Sequence, residues 1–201
     1  VWLIIRAWSP TIAVLILIIL STMVGMGIGG YAGIELTPIS MAAPTVILTL
    51  AVADAIHIYI TLKRLMQEGI VKQKAIVESL KINFLPVTIT SATTIVGFLA
   101  LNFSDSPPYW HLGNITAVGI GAAWLFSITL LPVIMSLLPY STKVVSEKEK
   151  TQSVMLKLAN FVIDNHKKVF IGTSVITLII ICFIPTIKFD DQWVEYFDES
   201  V

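Results

Sequence analysis

The sequence predicts an all-α polytopic membrane helix bundle, and three observations carry that prediction. Five runs of about 20 mostly apolar residues occur, the length needed at 1.5 Å per residue to cross about 30 Å of hydrocarbon. Of the 201 residues, 56% are hydrophobic and 13% are charged, against roughly 25% charged in an average soluble domain. When the chain is threaded through the five runs, Lys188 alone among its 13 Lys and Arg residues falls on the opposite side from the rest. Lys and Arg accumulate in short cytoplasmic loops, so that majority side is expected inside.

The spans are expected at about residues 10–31, 39–62, 85–103, 113–138 and 169–187. Ahead of the first, residues 1–5 are apolar and end at Arg6, which suits the tail of an earlier span. No positive, apolar, small-residue leader precedes them, and the chain reads as a fragment. The first span carries Ser21, Gly25, Gly29 and Gly33 at four-residue steps, the second Ala51 and Ala55, and the fourth Gly113, Ala117 and Gly121. Small residues four apart lie on one helix face and let helices approach closely in lipid, where packing drives association. These stripes predict a tight bundle and no ligand site.

Between the second and third spans, Met66, Ile70, Val77, Leu80 and Phe84 recur at mostly three- and four-residue steps among charges. The pattern predicts an amphipathic helix over 64–84 lying along the cytoplasmic interface. Pro107 and Pro108 punctuate the outer turn before the fourth span. Residues 139–168 read as a cytoplasmic linker followed by a short helix, so the first domain is expected to close at residue 138. After the fifth span, residues 188–201 bring Asp190, Asp191, Trp193, Glu195, Tyr196 and Phe197 together, as expected for the start of an exoplasmic domain.

Balanced charge and the lack of a basic patch interleaved with aromatics exclude nucleic acid as a first expectation. Cys182 is the single cysteine, so neither a disulfide framework nor a thiol pair for a metal is available. No His-Glu-x-x-His pair, Gly-rich phosphate loop or Gly-x-Ser-x-Gly turn occurs. His111 and His166 stand singly in expected loops. No cofactor, metal or enzymatic activity is expected.

Asp54 is the charged residue set well inside a span, eight positions from Leu62 and so about 12 Å deep. An ionised carboxylate there costs about 2.5 to 3.5 kcal/mol on insertion scales, and such residues face a bundle interior or a water path. Desolvation penalises the charged form of any carboxyl, so a proton can be taken up and released there, as a proton-coupled transporter requires. His57 follows one turn later on the same face and is a candidate partner for the proton. In the third span Thr90, Ser91, Thr93 and Thr94 form a hydroxyl cluster. Thr93 and Thr94 lie about 11 to 12 Å in from Pro86, the depth of Asp54. Each threonine has the competing option of bonding its own helix carbonyl four residues back.

The stretch from Ala51 to His57, with its Asp54, resembles the aspartate-bearing fourth transmembrane helix of the resistance-nodulation-division (RND) superfamily. Thr93-Thr94-Ile95-Val96-Gly97-Phe98 is similar to that superfamily's fifth helix, a Thr-Thr-x-x-Gly-Phe run. The order of the two, with a basic connector containing Gly69 and Ala75-Ile76, also fits. The resemblance places the five spans as helices three to seven of a twelve-helix protein. Trp193-Val194-Glu195-Tyr196-Phe197 then looks like the approach to the second large exoplasmic domain. Within the superfamily the chain looks most like exporters grouped with the mycobacterial membrane protein large (MMPL) family, whose membrane core is related to the sterol-sensing domain.

That resemblance implies proton-driven export of lipids or other hydrophobic molecules across the inner membrane, with Asp54 as the proton-relay carboxylate; His57, Thr93 and Thr94 are the candidates to complete the relay. Many relatives carry a second acidic residue or a tyrosine beside this aspartate, where this sequence has Ala55. Membrane lipids, a hydrophobic substrate, protons and the rest of the same chain are the implied partners. A sterol-sensing-type lipid-binding or regulatory module without transport is the alternative. An intramembrane hydrolase built on Ser91 and His57 would need an oxyanion site, which nothing in the sequence supplies.

Overall fold

The computed structural model describes residues 8–139 and 148–183, in two units divided between residues 144 and 145. Expectations for residues 1–7, 140–147 and 184–201, including the whole exoplasmic start, lie outside the described residues. Among the described residues every regular element is helical. The first unit holds α1 (Trp8–Tyr31), a 3-10 turn (Ser40–Ala42), α2 (Ala43–Gln67), α3 (Lys72–Leu99), a second 3-10 turn (Ala100–Phe103), α4 (Pro107–Ile128) and α5 (Leu130–Leu137). The second holds α6 (Lys148–Asp164) and α7 (His166–Cys182). Four helical stretches are long and apolar enough to cross a membrane: Pro10–Tyr31, Ser40–Gln67, Lys72–Phe103 and Pro107–Leu137. A fifth is available if the pair Leu156–Asp164 and His166–Cys182, bent by 87°, counts as one span. The all-α membrane bundle is thus as expected, and the bend falls between α6 and α7, ahead of the fifth span expected at 169–187.

Glycine sets two of the helix ends. Gly33 (φ +70°) follows α1 and Gly69 (φ +89°) follows α2. In each case the next amide reaches back five residues, Ile34 N to Gly29 O at 3.0 Å and Ile70 N to Leu65 O at 3.1 Å. This is a left-handed C-terminal cap, in which a side chain would be strained. Gly33 therefore terminates a helix and does not extend the small-residue face.

The connector departs from expectation. Instead of a separate interfacial helix over 64–84, α2 continues to Gln67 and α3 starts at Lys72 and runs unbroken past Pro86. The cause is burial. Ala75 and Ile76 pack into one cluster with Leu62, Leu65, Leu131 and Met135, so this stretch belongs to the bundle. At 1.5 Å per residue the 28 residues of α3 span about 42 Å, more than the hydrocarbon, and its charges Lys72, Lys74, Glu78 and Lys81 all fall in the first part. The fourth span also breaks, at Thr129 (φ −111°, ψ −62°). Pro132 has no N–H for the Ile128 carbonyl and its ring crowds that carbonyl, which ends the regular helix.

α4 is the central element and packs on α1, α2 and α3. Its closest approach to α1 is at Gly25, where a Cβ would meet Gly119 Cα at 3.0 Å and Ile115 O at 3.2 Å. A Cβ on Gly119 would lie 2.2 Å from Ile47 Cδ1 of α2. The expected stripe on α4 is accordingly corrected in part: Gly119 makes the crossing, Gly121 has ordinary contact with Ile95, and Gly113 instead abuts the Phe98 carbonyl of α3.

Gly113→Ala would place a methyl 2.4 Å from that backbone oxygen, so α3 and α4 must separate, at a cost of about 1 to 3 kcal/mol. Gly27→Ala meets nothing within 4 Å. In thermal melts of the detergent-solubilised protein, Gly113→Ala is expected to lower the midpoint and Gly27→Ala to leave it unchanged or raise it.

Candidate functional site

Asp54 lies on the buried face of α2 with Ala51, Ala55 and Ile58. Between Glu35 and Lys63 it is the single Asp, Glu, Lys or Arg residue. The alanines on either side let α3 approach closely. On α3 the buried face runs Ser79, Asn83, Val87 and Ser91, a four-residue step that keeps all of them in one row. Ser91, 2% exposed, donates its Oγ–H to Oδ2 of Asp54, 3% exposed, at 3.1 Å. This is a side-chain hydrogen bond between two helices inside the bundle. Among the described residues no donor reaches Asp54 Oδ1, and Asp54 lines a neighbouring cleft.

That cleft, about 190 Å³, lies between α2 and α3. Leu50, Ala53, Asp54 and His57 line it from α2, and Asn83, Pro86, Val87 and Thr90 from α3. His57 is exposed and shares the cleft with Asp54 without a hydrogen bond to it. Asn83 is buried, and its Nδ2 donates to Ser79 O at 2.8 Å, which leaves Oδ1 and the second amide proton for the cleft.

The structure therefore brings Asp54 and His57 together and sets Thr93 and Thr94 apart from them. Thr93 Oγ1 donates to Ile89 O at 2.8 Å and to Thr90 O at 3.0 Å. Thr94 Oγ1 donates to Thr90 O at 2.6 Å and lines a different pocket, with Gly97, Phe98 and Leu101. Equal depth put these hydroxyls level with Asp54, but their direction around the helix puts them elsewhere. Ser91 belonged to the expected hydroxyl cluster, and Asn83 did not. The signal for both is their place on the row 79, 83, 87, 91, where polar residues alternate with nothing larger than valine.

α3 is held to its other neighbours by polar contacts at three levels. Lys72 Nζ donates to the carbonyls of Ser136 and Leu138, both at 2.8 Å, placing a cation on the negative end of α5. Trp124 Nε1 donates to Thr88 Oγ1 at 3.0 Å. Asn102 and Asn114 exchange amide hydrogen bonds of 3.1 and 2.9 Å.

A buried carboxyl is thus joined to a hydroxyl across two apolar helices, beside a cleft holding an imidazole. The model of the MMPL family matches residues 1–169. The chain belongs to the MMPL family. It is also 33% identical over 110 residues to MJ1562 of Methanocaldococcus jannaschii, whose name describes it as a membrane protein. The matched stretch covers 53% of this chain and 28% of that one. No solved structure matches the chain. The span count, the apolar helices and the family together make this MMPL chain a multi-pass membrane protein.

The geometry separates Ser91 from the threonines in a double-mutant cycle. Asp54→Ala and Ser91→Ala are expected to couple by about 0.5 to 2 kcal/mol in unfolding free energy, the range of hydrogen bonds between membrane helices. Asp54→Ala with Thr94→Ala is expected to be additive within about 0.5 kcal/mol. Chemical denaturation in mixed micelles measures both.

Proposed function

We propose that this chain is transmembrane machinery of a proton-driven MMPL-type exporter of lipids or other hydrophobic molecules. The observation that carries this reading is the Asp54 carboxyl, buried between α2 and α3, bonded to Ser91 and open on one side to the cleft of His57. Asp54 is the proton carrier, Ser91 its hydrogen-bond donor and His57 a shuttle in the cleft. Thr93 and Thr94 enter the relay in this reading only if α3 turns during the cycle.

Protonation neutralises a charge in a low-dielectric seam and weakens the charge-assisted bond from Ser91, which changes the packing of α2 on α3. Exoplasmic domains of the whole protein would convert that change into substrate movement. The membrane potential contributes about 2.3 kcal/mol per proton per 100 mV, a sufficient source for uphill export. The module sits in the inner (plasma) membrane, with the α2–α3 turn and its Lys63, Arg64, Lys72, Lys74 and Lys81 on the cytoplasmic side. Its partners are membrane lipids, the hydrophobic substrate and the rest of its own chain. We assign it no enzymatic role.

A second reading, a sterol-sensing-type module that binds lipid without transporting it, draws on an apolar groove of about 450 Å³ between α1 and α2. Ile18, Met23, Met26, Pro44 and Leu48 line it, with the hydroxyls of Thr22 and Thr45.

Reconstitution of the full-length protein in liposomes separates the two. Under an imposed pH gradient, Asp54→Asn is expected to abolish substrate-dependent proton flux while the protein remains folded. Ser91→Ala is expected to reduce the flux without abolishing it. Unchanged flux in Asp54→Asn, or no flux in either protein, rejects the transport reading and favours the lipid-binding module.

A further inference from the structure

The cleft beside Asp54 has a direction. From Asp54, His57 lies one turn further toward the C-terminal end of α2. On the antiparallel α3, Thr90, Pro86 and Asn83 step toward its N-terminal end. Both directions lead to the turn at Gly69. From Ser91 to Asn83 is eight residues, about 12 Å along α3 at 1.5 Å per residue. Two residues beyond Asn83 stands Lys81, whose Nζ meets Glu78 Oε1 at 2.8 Å in an exposed ion pair. An exposed ion pair marks water, so the far end of the cleft comes within a turn of it.

In the opposite direction the lining offers water little. On α3 the lining stops at Thr90, and Ser91 is sealed against Asp54. The next hydroxyls, Thr93 and Thr94, spend their protons on carbonyls of their own helix. On α2 the lining reaches outward only through Leu50 and Ala53, which offer water nothing. Toward the turn, by contrast, Asp54 Oδ1, the His57 imidazole and the free Oδ1 of Asn83 follow one another. A buried water needs two to four polar partners, and these three groups provide them.

We propose that this cleft is a water-holding half-channel that joins Asp54 to the α2–α3 turn side of the membrane and to that side alone, with His57 and Asn83 as the positioning residues for its water. Neither touches the proton's carrier by a hydrogen bond. They hold the waters through which a proton travels between Asp54 Oδ1 and the solution at Lys81. The half-channel is a statement about access, and it stands or falls separately from the export reading.

The test uses the full-length protein in sealed vesicles, in a background where Cys182 is replaced by Ser. His57→Cys, Asn83→Cys and Thr94→Cys are each treated with a small membrane-impermeant cationic methanethiosulfonate from one face or the other. Glu68→Cys, on the exposed turn, reports which face is which. His57→Cys and Asn83→Cys are expected to react from the face that labels Glu68→Cys and from no other, and Thr94→Cys to stay unlabelled from that face. If Asn83→Cys does not fold, the exposed His57→Cys carries the labelling arm. No reaction at His57→Cys while Glu68→Cys labels, or reaction from the opposite face, overturns the half-channel. A companion readout is proton flux in Asn83→Leu, expected to fall severalfold with Asp54 and Ser91 intact. Normal flux in a folded Asn83→Leu protein removes Asn83 from the route. One-sided labelling with no effect of Asp54→Asn on flux would keep the half-channel and reject the transporter.

Discussion

The constraint on which this bundle turns is that a carboxylate in hydrocarbon needs partners, and only neighbouring helices can supply them. Asp54 obtains one from Ser91 at 3.1 Å, which requires α2 and α3 to run close together at that depth. Close approach in lipid depends on small residues. Ala51 and Ala55 flank the aspartate on α2, and both are fully buried. The same logic operates on the other side of α2, where Ile47 fills the space left by Gly25 and Gly119 at the crossing of α1 and α4. The glycines therefore serve the carboxylate indirectly, by seating the helix that carries it.

α4 and α5 form the frame against which this seam is set. Lys72 ties the start of α3 to the end of α5, Trp124 ties its middle to α4, and Asn102 with Asn114 ties the 3-10 turn after it to α4. Each contact sits at a level where water or backbone polarity makes a hydrogen bond worthwhile. Gly113 against the Phe98 carbonyl closes the gap between the upper two. α3 is thereby fixed in rotation as well as position, and its row of Ser79, Asn83, Val87 and Ser91 is held toward the bundle interior.

The spans and Asp54 were legible because length, hydropathy and one misplaced charge are signals along the chain. The partner of Asp54 was harder to read, since it depends on direction around a helix. In a soluble helix a polar stripe reveals the outer face. In a membrane helix lipid is as apolar as the core, so buried and lipid-facing residues look alike. Thr93 and Thr94 matched Asp54 in depth and missed it in direction, whereas Ser91 met it. The small-residue stripe on α4 was displaced in the same way at one position, with Gly119 and not Gly121 at the crossing, while Gly25, Gly113, Ala51 and Ala55 pack closely as expected. The connector was misread for another reason: Ala75 and Ile76 suit an interfacial helix and a buried one equally, and only the cluster around Leu62 and Leu131 decides between them. The interruption at Thr129 was legible in principle, from Pro132, but the apolar run across it concealed it.

These fixed and unfixed contacts bear on how a proton could do work. A carboxyl reached from one side only cannot by itself carry a proton across, and delivery to the other side requires the seam to change. α3 is pinned to α4 and α5 at three levels by bonds between uncharged groups or to a cation near water, none of which depends on the protonation of Asp54. The link from Ser91 does depend on it, because a neutral carboxyl is a weaker acceptor than a carboxylate. Of the contacts that hold α3 in place, protonation therefore acts on the α2 seam and leaves the α4–α5 frame intact. A motion of α2 relative to that frame is the response the architecture favours. Its limits are set by Ile47, wedged between Gly25 and Gly119, so α1 and α2 are coupled at the crossing and would move as neighbours.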